Sequence, residues 1–358
     1  MALSKIQFGN TGRRNLIING AMQIAQRATS ATGVGVTPNY NTVDRWRFAD
    51  ASNPPSRFTE TQSTDAPEGF SFSRKYEVTT IDASPADDDM QYTDQFIEAQ
   101  NLQLLKYGTS NAESITLSFY VKSSVASTMG VRFSHEDGGG SYGASYTINA
   151  TNTWERKSIT VPGNTATAIN NDNGRGMSIR FGLNIGATYA GAGSNSTAWG
   201  NGSLFGAHTN TFVGTANATW QITGVQLEVG STATEFEHLS FDEELRLCSR
   251  YYRKIGRFMG GGREGYSVSN VTFTPGMRLT GSDASNIVST ISAGGVMYSR
   301  ASVNNSTGTL SGTVSVSTTA TAQAFTAGFA HNGASTGSTY NGTNSGVYVD
   351  GLEFDAEL

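Results

Sequence analysis

At 358 residues the chain is long enough for two domains with cores of their own, so a single small module is excluded. Its 42 glycines, 37% hydrophobic residues and only 15% charged residues describe short strands and many turns, while 18 Phe, 14 Tyr and 4 Trp supply the aromatic mass that disordered chains lack. A formal net charge of −5 leaves no global basic field for a nucleic-acid backbone, and one cysteine excludes an intrachain disulfide.

Residues 1–30 read as an N-terminal arm or hairpin. Asn15-Leu16-Ile17-Ile18 and Met22-Gln23-Ile24 are apolar bursts separated by Asn19-Gly20, a dipeptide that favours hairpin turns. Met1 to Asn15 has no secretory h-region, and no apolar run in the chain reaches the length of a membrane span; neither export by a signal peptide nor membrane insertion is expected. Arg13-Arg14 reads as a solvated turn or an inter-subunit contact.

Residues 31–239 read as a jelly-roll β-sandwich. Candidate strands cover Arg45 to Phe48, Phe70 to Thr79, Ser114 to Lys122, Met129 to Ser134, Trp154 to Val161, Met177 to Ile185 and Gln221 to Val229, with turn clusters between them. Asp94 to Leu105 fits either a helix or a strand followed by a turn. Trp46, Trp154 and Trp220 fall within strand patterns and are assigned to the core. The last strand alternates around Gly224, with Ile222, Val225, Leu227 and Val229 on one face and Gln226 and Glu228 opposite, which predicts one wet face.

A connecting amphipathic helix is expected over 240–256. Ser240 and Glu243 form a capping box, Phe241, Leu245, Cys248 and Tyr252 make a packing stripe, and Gly256 stops it. Residues 257–358 read as a second, smaller β domain. Ala301 through Val349 holds no Asp, Glu, Lys or Arg, and Thr309 to Thr318 alternates as a strand. So little charge protects strand edges poorly, which points to packing against sister subunits.

Metal ligands are sought first in Asp87-Asp88-Asp89 and His135-Glu136-Asp137, but neither run has the ligand spacing of an EF-hand, and both read as solvated loops. His135, His208, His238 and His331 are scattered and offer no zinc set, so no metal or other cofactor is expected. Asp94, Glu98, Glu136 and Asp137 are acids available to a glycosidase, yet nothing marks them off from surface carboxylates. No Gly-x-Ser-x-Gly elbow is present, and no catalytic residue is assigned. The ligand-binding candidates are Trp199, Tyr189, Phe205 and His208, in the Gly-, Ser- and Asn-rich stretch from Gly186 to Gly214. An exposed indole there would stack on a sugar face, whereas a buried one would pin the loop to its own sheet or to another subunit.

Three segments carry a resemblance. NLIINGAMQIAQR (Asn15 to Arg27) with VDRW (Val43 to Trp46), ITGVQLEVGSTATEFE (Ile222 to Glu237) and EELRLCSRYY (Glu243 to Tyr252) together resemble a signature of bacteriophage virion proteins, mostly of the tail or tail fibre. Ala28 and Glu235 depart from it, where Gly and Pro are usual. SITLSFYVKSS, WERKSITV and ITGVQLE also resemble carbohydrate-binding-module jelly rolls. The first resemblance implies a non-enzymatic structural protein of the virion, made in the host cytoplasm. Its implied partners are other virion proteins and copies of itself, a trimer being suited to a fibre, and host-surface glycan where the protein takes part in recognition. A carbohydrate-binding adhesin and a capsid-surface decoration protein are the alternatives.

Overall fold

A computed structural model describes residues 13–191, 196–200, 204–261, 271–273, 297–299, 325–327, 345–355 and 357. The chain is mainly β. Eleven strands build the first unit: β1 (Ser30–Val34), β2 (Arg47–Ala51), β3 (Arg57–Ser63), β4 (Ser73–Thr80), β5 (Met90–Glu98), β6 (Ile115–Ser123), β7 (Ser127–His135), β8 (Gly140–Ile148), β9 (Glu155–Val161), β10 (Arg175–Ile185) and β11 (Thr219–Val229). They form two antiparallel sheets, β1-β3-β4-β11-β6-β9 and β2-β5-β10-β7-β8. Successive strands repeatedly change sheet, as in a jelly roll.

Alternation explains the layering. In β6, Ile115, Leu117, Phe119 and Val121 point inward; in β10, Met177, Ile179, Phe181 and Leu183 do the same from the opposite sheet, and all eight are fully buried in one core. Phe119 meets Phe181 edge-on at 5.2 Å, and Trp220 lies 6.2 Å from both Phe181 and Tyr76. Burying each such side chain contributes on the order of 1.5–3 kcal/mol. The core also holds an ion pair with no solvent exposure, Arg74 to Glu60 at 2.9 Å. Thr42 and the Tyr76 hydroxyl donate to the same carboxylate, so its lone pairs are occupied, as a buried charge requires. Trp46 and Trp220 are core residues as expected, but Trp154 is not. It stands half-buried before edge strand β9, its Nε1 donating to Asp65 at 3.3 Å.

The segment before β1 is not a hairpin. Asn19 adopts a left-handed φ of 57°, yet among the described residues no strand precedes Ser30, and Leu16, Ile17 and Met22 pack into the sandwich core. In the Arg13-Arg14 run Arg14 is exposed, and both side chains also bond backbone: Arg13 donates to the carbonyls of Asn15 and Ile17, and Arg14 to that of Glu235.

β11 has no wet face. A bulge at Gly224, φ 60°, shifts the inward set from Trp220 and Ile222 to Val225 and Leu227, and the polar face behind it is covered. Gln226 and Glu228 are buried, bonded to each other and to Thr234 and Glu237 of the following loop. The N-terminal segment lies on the same strand. Asn15 donates to the Val225 carbonyl and accepts from the Leu227 N–H, both at 3.0 Å, while the Val225 N–H donates to Gly20. A Cβ on Gly20 would stand 2.1 Å from the Val225 carbonyl oxygen, which is why that position carries none.

Asp94 to Leu105 resolves as the end of β5 followed by a 3₁₀ segment, Ala99–Leu105. The helix α1 (Phe241–Cys248) is half the expected length. Its capping box forms as the sequence predicts, the Glu243 N–H donating to Ser240 Oγ and the Ser240 N–H to Glu243. Cys248 is buried, but Phe241 is exposed, and Tyr252 opens a strand rather than the last helical turn. Side chains four apart fit a helix, and the β-forming run Tyr251-Tyr252 redirects the chain before Gly256 is reached. The sandwich unit ends inside α1 at Leu245, and a second compact unit runs from Arg246. In that unit β12 (Tyr252–Gly261), β16 (Ser345–Asp355) and β14 (Met297–Ser299) form one antiparallel sheet, and β13 (Val271–Phe273) pairs with β15 (Phe325–Ala327). The strand expected over Thr309 to Thr318 lies outside the described residues.

Candidate functional site

The loop after β10 does not gather the four predicted residues into one platform. The Trp199 indole donates to the Pro162 carbonyl at 2.7 Å and packs against Tyr107, Tyr142 and His135 at centroid distances of 5.7, 6.0 and 6.5 Å. Tyr142 and His135 face inward from β8 and β7, so Trp199 closes the edge of the sandwich and pins the loop to its own sheet. Phe205 is fully buried on the outer side of the five-stranded sheet, where Gly130 and Gly143 leave room for it; a Cβ on either would come within 2.8 Å. His208 is largely buried and accepts from the Gly130 N–H at 3.0 Å through Nδ1, which requires a neutral ring; burial pushes its pKa down to about 4. Tyr189, like Trp199 and His208, is half-buried. Its carbonyl accepts from the Phe205 N–H, and its ring packs beside Phe205.

The outer face of the five-stranded sheet carries the stronger constellation. Three strands contain the same local pattern, Trp46-Arg47-Phe48, Val131-Arg132-Phe133 and Ile179-Arg180-Phe181. The flanking apolar residues point into the core, so the pleat sends each arginine outward. Register then aligns them. Arg47 of β2 is opposite Asp94 of β5, Asp94 opposite Arg180 of β10, and Arg180 opposite Arg132 of β7, one continuous row across four strands. On one side of the row Phe96 is followed by Ser178, Ser134 and Ser141; on the other lie Ala49, Tyr92 and Gly182.

Arg47 grips Asp94 with two bonds of 3.0 and 2.7 Å, and Arg180 reaches Glu136 at 2.8 Å and Asp94 at 3.8 Å. The arginines also lie on rings: Arg47 and Arg175 over Phe96 at 4.6 and 4.1 Å, and Arg180 over Tyr92 at 5.3 Å. Arg132 differs. Burial and the neighbouring Arg180 push its pKa down to about 10, with Glu136, Tyr92 and Tyr189 acting the other way. Glu136, held by Arg180 and acting on Arg132, supplies negative charge beside the two neighbouring guanidiniums. Sequence reading weighed Asp94 and Glu136 only as candidate acids and missed the arginines; the repeated apolar-Arg-Phe pattern was the available signal.

The acidic runs are engaged locally. Asp89 accepts from the Ala86 N–H and Asp88 from Ser52, while the Gly139 N–H donates to His135 and Asn170 binds Asp137. Among the described residues no group of three or more His, Cys, Asp or Glu is placed to hold a metal ion, and no helix is long and apolar enough to cross a membrane.

No family model matches the sequence, and no curated protein matches it. Solved structures do. The enzymatically active domain of tailspike protein 4 of bacteriophage CBA120 is 13% identical over 60% of this chain and 21% of that one, with a TM-score of 0.31. A CBM4 is 14% identical over 59% and 97%, also at 0.31, and a family 11 carbohydrate-binding module of a Clostridium thermocellum cellulosomal cellulase is 12% identical over 56% and 99%, at 0.27. The match spans about a fifth of the tailspike chain. At such identities no residue's role passes from these proteins to this one.

Proposed function

We propose that this chain is a structural protein of a bacteriophage virion, of the tail or a tail fibre. It assembles through subunit interfaces, makes and breaks no bonds, and contributes to recognition of host-surface glycan. The observation that carries the reading is the closure of the signature on itself. Asn15 binds Val225 and Leu227, Asn19 donates to the carbonyls of Ile24 and Asp44, and the Trp46 indole donates to Asn19. Segments more than 200 positions apart thus form one joint, as expected of a single inherited unit rather than chance matches. An assembly surface is available on the other sheet, where Phe70, Tyr120, Phe236 and His238 stack at 4.8 to 5.4 Å without any being fully buried.

Cryo-electron microscopy of the particle tests the location, density at the tail being the expected result and density on the capsid surface favouring a decoration role. Light scattering after size exclusion tests assembly. A stable monomer at micromolar concentration would count against it. Release of sugar from any polysaccharide, abolished by one acidic substitution, would overturn the non-enzymatic assignment.

A further inference from the structure

Taking the assembly reading as its basis, we propose that the aromatic patch on the outer face of the six-stranded sheet is the contact between two copies of this chain, joined about a two-fold axis, with Glu68 of each copy meeting the partner's Arg156. Local structure places the patch. The turn from Pro67 to Phe70 is closed by the Phe70 N–H donating to the Pro67 carbonyl at 3.1 Å, and Gly69 takes the positive φ of 88° that its third position needs. Glu68 is thereby held out at the tip, exposed, while Phe70 turns back onto the sheet. Gly224 makes room for it: a Cβ there would stand 2.7 Å from the Phe70 ring and 3.0 Å from that of Tyr120. Tyr120 of β6 is in register with Arg156 of edge strand β9. From the loop after β11, the half-buried Phe236 and the exposed His238 complete the patch.

Charge selects the occupant. Neighbouring ionic groups are paired within the chain: Lys122 with Asp65 at 2.7 Å, Lys75 with Glu77 at 2.7 Å and Lys157 with Glu155 at 2.6 Å. Glu68 and Arg156 are not. Both are exposed, and among the described residues neither meets an opposite charge, the Arg156 guanidinium donating to the Thr234 carbonyl. Glu68 stands two residues from Phe70 and Arg156 stands opposite Tyr120, so the acid and the base adjoin different rings of one patch, 5.4 Å apart. A two-fold contact that lays one patch on the other, Phe70 against the partner's Tyr120, sets each Glu68 against the partner's Arg156 and satisfies both charges twice over. The surface carries its own complement. A saccharide finds less here, because the rings are tilted or edge-on to one another and offer no flat platform.

The test is sedimentation equilibrium of the full-length chain at micromolar concentration, with far-ultraviolet circular dichroism to check that each variant keeps the parent's β content. Arg156→Glu and Glu68→Arg should each weaken self-association about ten-fold or more, because a two-fold contact counts each reversal twice. The double variant Glu68→Arg/Arg156→Glu should return to within about three-fold of the parent, and rising salt should weaken the two alike. Unchanged self-association in both single variants would overturn the proposal and leave assembly through other surfaces standing. Loss in both singles without recovery in the double variant would overturn the pairing of Glu68 with Arg156. A parent chain that stays monomeric would remove both readings, and a saccharide whose binding to that monomer is lost in Arg156→Glu would assign the face to glycan instead.

Discussion

Replacing Asn15 by Ala tests the joint between the N-terminal segment and β11. The side chain is 5% exposed and makes three bonds at 3.0 Å, donating to the Val225 carbonyl and accepting from the Leu227 and Ile17 N–H groups. Alanine leaves two buried donors and one acceptor to find other partners. At about 1–3 kcal/mol for each group stranded, with partial relaxation, the expected loss is about 3–5 kcal/mol. Urea unfolding followed by tryptophan fluorescence suits the measurement, because Trp46, Trp154, Trp199 and Trp220 all lie in the unit that ends at Leu245, and the signal reports that unit alone. The midpoint should fall with the slope unchanged. A loss below about 1 kcal/mol for Asn15→Ala would refute the claim that this side chain splices the strand.

Gly20→Ala attacks the same joint by volume, since the new methyl meets a carbonyl oxygen at 2.1 Å; a loss of about 2–4 kcal/mol in the same assay is expected. Trp199→Ala should cost about 2–4 kcal/mol by opening the sandwich edge over Tyr107 and His135, and should leave saccharide affinity intact in the folded protein, which calorimetry checks. His208, with a folded pKa of about 4 against about 6.5 unfolded, contributes stability that is full above pH 6.5 and declines as pH falls toward 4, by up to about 3 kcal/mol. His208→Gln should flatten that part of the pH–stability curve.

The strands that sequence pattern located are those whose inward residues are large and whose outward residues are polar, such as β6, β9 and β10. β8 escaped because its inward Tyr142, Ala144, Tyr146 and Ile148 alternate with Gly and Ser, which read locally as loop. β5 was read only at its end, and there only as one of two alternatives, because its inward set includes Thr93 and Gln95. These are polar, but Thr93 accepts from Arg74 and Gln95 bonds the backbone of Ile18 in both directions. The same blindness produced the wet face assigned to β11. Whether Gln226 and Glu228 meet water depends on how the following loop, Thr234 to Glu237, folds back over the strand, which alternation does not encode. On the outer face of the five-stranded sheet each arginine was legible as outward-pointing, but the row depends on interstrand register, which tertiary pairing sets.

The residues that carry the resemblance are, for the most part, structural ones. Asn15, Asn19, Asp44, Trp46, Gln226 and Glu228 are all buried, and they spend their polar groups on one another and on the backbone around a single bulged strand. Such a set tolerates little change, because altering one member strands the others. The arginine row is a second set of this kind. Arg47 holds the fully buried Asp94 by two bonds, and Arg180 holds Glu136 and reaches Asp94, so removing either guanidinium strands a carboxylate that the sheet keeps from water. Exchanging Arg47 for a neutral side chain should therefore cost stability, as any exchange at Asn15 or Glu228 should.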